Sequence, residues 1–153
     1  MKMSQGSSLL SFPRLYVILA LLQAAHSAEE YLTRFYERIR EGSSLLHGVL
    51  SVVPVFEFTE RFFIIVNVIL VVTILAFIPL VYHGGLLGRF QATLLGLIEF
   101  LNGVAHLTIA AMMGTYFPGA LTAPFLLIVS VMLLRQTWKK ELHPKTRAKA
   151  GNG

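Results

Sequence analysis

The chain has 153 residues, 55% of them hydrophobic, and a mean hydropathy of +0.67, which places it among membrane proteins rather than soluble domains of this size. Cysteine is absent, which excludes disulfides, a thiolate nucleophile and cysteine-bound zinc, and every acidic residue is Glu. The net charge of +5 sits largely in the C-terminal tail, a pattern that speaks for lipid contact and orientation and against nucleic-acid binding. The sequence has no glycine-rich phosphate loop, HExxH or GxSxG motif, and no internal repeat.

Residues 1–12 read as a loose polar leader. Pro13 suits a first helical turn with Ser11 as cap. The pattern predicts one helix over about residues 13–40. It is apolar from Leu15 to Leu22, then amphipathic, with Tyr31, Leu32, Phe35, Tyr36 and Ile39 opposite Arg34, Glu37, Arg38 and Glu41. A competing reading takes Lys2, Arg14, the short apolar core and Ala25-His26-Ser27 as a secretory signal cleaved after Ser27. Against it, the helical pattern crosses the cleavage point without a turn former, and cleavage would discard His26.

Gly42-Ser43-Ser44 is expected to end that helix. Leu45 to Phe58, broken by Gly48 and Pro54, is too short to span and reads as interfacial or re-entrant, with His47 and Glu57 solvated. Thr59 caps a second helix over about 59–82, in which Asn67 is the only amide and Pro79 can kink the end. Gly84-Gly85 turns the chain, with His83 and Arg89 at headgroup level. A third helix covers about 86–113, where Glu99, Asn102 and His106 share an arc of roughly 60° and Gly88, Gly96 and Gly103 allow close approach. After a turn at Gly114–Gly119, a fourth helix covers about 119–138 and ends at Trp138, an interfacial marker. Lys139, Lys140, Lys145, Arg147 and Lys149 form a basic, disordered tail over 139–153.

The expected architecture is thus all-α: an integral, multi-pass membrane bundle of four transmembrane helices over 13–138. Four spans put both termini on one side, and the basic tail makes that side cytoplasmic. Arg34, Arg38, Arg40 and Arg61 in the first connection count against that orientation.

His26, Glu29 and Glu30 stand at i, i+3 and i+4 and share a helix face, which Gln23, Thr33 and Glu37 extend. Charged groups inside a membrane segment cost on the order of 2.5–3.5 kcal/mol each, so they face a protein interior or a wet cavity. An unpaired ionised Glu99 is implausible at its depth; it is protonated, or paired with a histidine, an amide or a metal. Counted from their helix ends, His26 and Asn67 lie ~8 Å deep and His106 ~12 Å deep on the same side. They are therefore expected in one layer and, with inward faces, in one site.

Three blocks carry a resemblance: His26-Ser-Ala-Glu29-Glu30, Asn102-Gly-Val-Ala-His106, and Tyr116-Phe-Pro118-Gly119-Ala-Leu-Thr122-Ala. In this order they resemble the HXXEE family of small integral membrane proteins, across the first, third and fourth helices. The resemblance implies a membrane location and a shared polar cluster at these positions, without a defined activity. Glu60, Asn67 and Glu99 are additions from the residues themselves.

The residue types admit several chemistries. In an enzyme acting on a lipophilic substrate, Glu29 or Glu30 serves as acid/base with His26 as partner, while Asn102 and His106 orient the substrate. As a metal site, His26, Glu30, Glu99 and His106 offer ligands suited to zinc or iron, although the spacing matches helical di-metal motifs only loosely. Transport or proton conduction would need more than four short helices, for instance an oligomer. The bland alternative is an interhelical hydrogen-bond network. The expected partners are the lipid bilayer and a lipophilic small molecule, and the expectation leans to a membrane enzyme that uses a metal.

Overall fold

The computed structural model describes residues 11–52, 54–55 and 58–141. Most of the expected leader, Glu57 and the tail from residue 142 lie outside the described residues. The described elements are all helical.

Pro13 sits in the first turn of α1 (Phe12–Leu32), after Ser11. The expected helix over 13–40 is in fact two. The Thr33 hydroxyl donates back to Glu29 O (2.7 Å), and Arg34 takes φ 57, an angle few non-glycine residues adopt. The chain therefore turns, and α2 (Phe35–Val49) starts in a new direction. It runs on through Gly42-Ser43-Ser44, where an end was expected. A helical glycine costs only about 1 kcal/mol relative to alanine, and the Ser43 hydroxyl bonds Arg40 O (2.9 Å) within the helix.

Thr59 caps α3 (Glu60–Ala76) by accepting from Phe62 N–H (3.2 Å). The run then breaks at Phe77 and resumes as α4 (Ile78–His83). Pro79 has no N–H to give the preceding turn. The buried Tyr16 hydroxyl supports the break by donating to Ile74 O (3.0 Å). The third expected helix is α5 (Leu86–Met113), ended by left-handed Gly114. The last is α6 (Ala123–Glu141), which starts a turn later than residue 119 and carries Lys139 and Lys140 inside its helical range.

The α5–α6 pair makes the most extensive helix contact, and α1 lies against α6 and α3. Gly103 permits this closeness, since a Cβ there would stand 3.0 Å from Ala123 O. Leu15, Tyr16 and Leu19 of α1 fill the core with Leu95, Leu126 and Leu133. The opposite surfaces are apolar too. Phe62, Ile65, Val68, Ile69 and Val72 of α3 and Leu97, Ile98 and Leu101 of α5 are exposed. Among the described residues, two stretches are long and apolar enough to cross a membrane, Glu60–His83 and Leu86–Met113, rather than the expected four.

Candidate functional site

The end of α1 and the α5–α6 connection meet, and the meeting is organised by Glu29. Its carboxylate accepts from Leu121 N–H (3.0 Å), Thr122 N–H (2.9 Å), the Thr122 hydroxyl (2.6 Å) and the Tyr116 hydroxyl (2.6 Å). An anion is well placed there, facing unpaired N–H groups just ahead of α6. Partial burial and the adjoining Glu29 carboxylate push the Tyr116 phenol above its ordinary value, which keeps it a donor.

The same connection places a hydrogen on Nδ1 of two imidazoles, through Thr122 of the clamp for one and through Pro118 O for the other. Thr122 Oγ1 spends its single hydrogen on Glu29, so the contact from His26 Nδ1 (2.6 Å) needs a hydrogen on Nδ1. His106 Nδ1 lies 2.6 Å from Pro118 O, an acceptor only, so this Nδ1 also carries a hydrogen. In neutral rings both Nε2 atoms are then bare lone pairs. Both point at one oxygen: Glu30 Oε1 is 3.4 Å from His26 Nε2 and 3.2 Å from His106 Nε2. His26 Nε2 is buried without a hydrogen bond. One ligand atom from each of the three residues can be chosen so that all lie within 4.8 Å of one another.

The walls are close. The two imidazoles meet edge to face at 4.8 Å. Phe35, first residue of α2, stands 5.1 Å from the His106 ring, and Phe117 stands 5.6 Å from it. Gly119 passes beneath both rings at φ +85; a Cβ there would lie 2.6 Å from His106 Nδ1 and 2.7 Å from His26 Cε1.

Of the sequence candidates, His26, Glu30 and His106 come together. Glu29 stands one bond behind them, as the holder of Thr122. Glu99 and Asn102 form a separate group. With the Gln23 amide turned so that its nitrogen faces Glu99, it donates at 2.6 and 3.1 Å, and Asn102 Nδ2 adds a contact at 3.5 Å. Asn67 reaches Ser27 Oγ (2.7 Å), next to His26 in sequence but on the α3 side of α1. Sequence reasoning assigned no chemistry to Thr122, Pro118 O, Gly119 or Phe35. The Pro-Gly pair signals a turn with φ above zero, but nothing in it says that imidazoles will rest on that turn.

A family model described as a protein of unknown function with an HXXEE motif matches residues 17–133, which include every residue of the centre and its clamp. No curated protein and no solved structure matches the chain.

Proposed function

The chain belongs to the HXXEE family, whose function is unknown. From its geometry we propose an integral membrane protein in which His26, Glu30 and His106 hold a divalent cation, zinc or ferrous iron, for metal-assisted chemistry on a lipophilic substrate.

The observation that carries this reading is the meeting of three acceptors. Two nitrogen lone pairs and a carboxylate oxygen face one another, and both Nδ1 hydrogens are committed elsewhere. Such a grouping calls for positive charge among its members, supplied by a metal ion or by an added proton. A tetrahedral ion with bonds of ~2.0–2.1 Å sets its ligand atoms ~3.3 Å apart. The two distances from Glu30 Oε1 to the imidazoles, 3.4 and 3.2 Å, match that spacing, and the three ligand atoms all lie within 4.8 Å of one another. The supporting hydrogen bonds from Nδ1 to oxygen are those that metal-binding histidines use to hold their tautomer.

Three protein ligands leave a further coordination position. A Lewis-acid cation there supplies polarisation of a substrate oxygen. The chain's own residues do the rest. Glu30 supplies the negative charge, Thr122 and Pro118 hold the rings, and Phe35 and Phe117 exclude water.

The membrane reading takes α1, α3–α4, α5 and α6 as four spans, with amphipathic α2 lying along the interface. It is supported by the hydropathy of Glu60–His83 and Leu86–Met113 and by the exposed apolar faces of α3 and α5. On this reading both termini are cytoplasmic.

A second reading, a structural network closed by a proton instead of a metal, draws support from the complete burial of His26 (0% exposed). Elemental analysis separates the two. Protein purified in detergent through a histidine-free tag should carry about one zinc or iron per chain. His26→Ala and His106→Ala should each lose it. A wild-type protein that stays metal-free after incubation with zinc and with ferrous iron would leave only the proton-closed network.

A further inference from the structure

A groove of about 400 Å³ runs along the outside of α1 and α3, within the size range of small-molecule sites. One wall is Ala24, Ser27, Ala28 and Tyr31; the other is Phe63, Asn67 and four aliphatic side chains. No lining residue carries a charge. Its rim continues into the exposed apolar face of α3.

Two features give the groove a direction. Asn67 lies inside it, seven residues and so ~10.5 Å along α3 from Glu60, whose carboxylate accepts from the Tyr31 hydroxyl (2.9 Å). Asn67 uses one lone pair for Ser27 Oγ (2.7 Å) and one hydrogen for Phe63 O (3.0 Å). An amide has two of each, so one donor and one acceptor site remain for a guest. The second feature is Phe63. Its ring stands edge to face with Phe35 at 6.4 Å, and Phe35 covers His106. Two rings therefore separate the groove from the histidine and glutamate centre.

We infer that this groove binds a neutral, single-chain lipophile whose hydroxyl or carbonyl bonds Asn67, with Phe63 and Phe35 as the partition between it and the centre. The chain lies against the aliphatic wall. A charged head is excluded, because nothing in the lining would compensate its desolvation at that depth. A two-chain phospholipid, whose charge belongs at headgroup level, does not fit that polar position. The inference rests on the membrane reading above and names its substrate class.

The test uses full-length protein in phosphatidylcholine vesicles and a hexadecanol bearing a photoactivatable diazirine. Labelled positions are mapped by mass spectrometry, and metal content is read on the same samples. Labelling should be saturable, concentrated in residues 24–31 and 63–72, and displaced by plain hexadecanol but not by hexadecyl phosphate. Asn67→Leu should raise the half-saturating concentration about fivefold, the equivalent of one lost hydrogen bond. Ala28→Phe, which fills the groove, should abolish saturable labelling. Even, non-saturable labelling over the outer faces of α3 and α5, or equal displacement by hexadecyl phosphate, would overturn the inference. Saturable groove labelling in metal-free protein would instead remove the metal centre and leave the groove standing.

Discussion

Two polar clusters follow one another along the same pair of helices, their nearest members one turn apart (Gln23 and His26, Asn102 and His106), and they solve burial in opposite ways. Gln23 and Glu30 are seven residues apart on α1, as are Glu99 and His106 on α5, so each helix repeats its contribution ~10.5 Å further along. In the Gln23–Glu99–Asn102 group, amide donors face a carboxylate. In the His26–Glu30–His106 group, the tautomers set by Thr122 and Pro118 leave acceptors facing an acceptor. In the first group donors meet the carboxylate; in the second, with neutral rings, none does, and a metal ion or a proton could take that place. What separates a supporting network from a binding centre is therefore the balance of donors and acceptors, and burial of polar residues alone does not decide it.

The largest expected effect comes from Gly119→Ala. Its Cβ would strike both imidazoles, so we expect a loss of about 1–3 kcal/mol in stability together with loss of bound metal. Gly114→Ala is the matching control. It also has positive φ (63°), but a Cβ there meets nothing within 4 Å, so melting should fall while metal content holds. Equal metal loss in both would mean that backbone strain, and not the contact with the rings, governs the centre.

Thr122→Val should come next. It removes the oxygen that holds His26 Nδ1 and should weaken zinc binding about 10–100-fold in competition titrations, whereas Thr122→Ser should restore it. Failure of serine to rescue would show that the methyl group, rather than the hydroxyl, is what matters there.

The smallest effect should come from the other cluster. Glu99→Gln keeps the shape and exchanges an acceptor for an amide, so stability should change by no more than about 1 kcal/mol and metal affinity should be unaltered. A drop in zinc affinity would merge the two clusters into one site and restore Glu99 to the ligand set that its sequence position suggests.

Much of the His26–Glu30–His106 cluster was legible beforehand. The i, i+3, i+4 spacing puts His26, Glu29 and Glu30 on one face, and matching depths bring His106 to the same layer. The division of labour between the adjacent glutamates was not legible. Glu29 faces the α5–α6 turn and Glu30 faces the imidazoles, although either could have been the acid at the centre. The break at Thr33–Arg34 was hidden because amphipathic periodicity continues across it. One left-handed residue changes the direction of the helix without disturbing the spacing on either side. That break is what delivers Phe35 to His106.

Residue order alone specifies an all-α fold, the apolar runs, and the angular grouping of the polar residues on each helix. Those follow from a fixed rotation per residue, which acts within one element. Packing in three dimensions is what sets a Pro-Gly turn beneath two rings, with Thr122 orienting one histidine and a backbone carbonyl the other. These contacts join residues up to 96 positions apart. They depend on how a connection's dihedrals aim single hydrogen-bonding atoms, which helical periodicity does not encode.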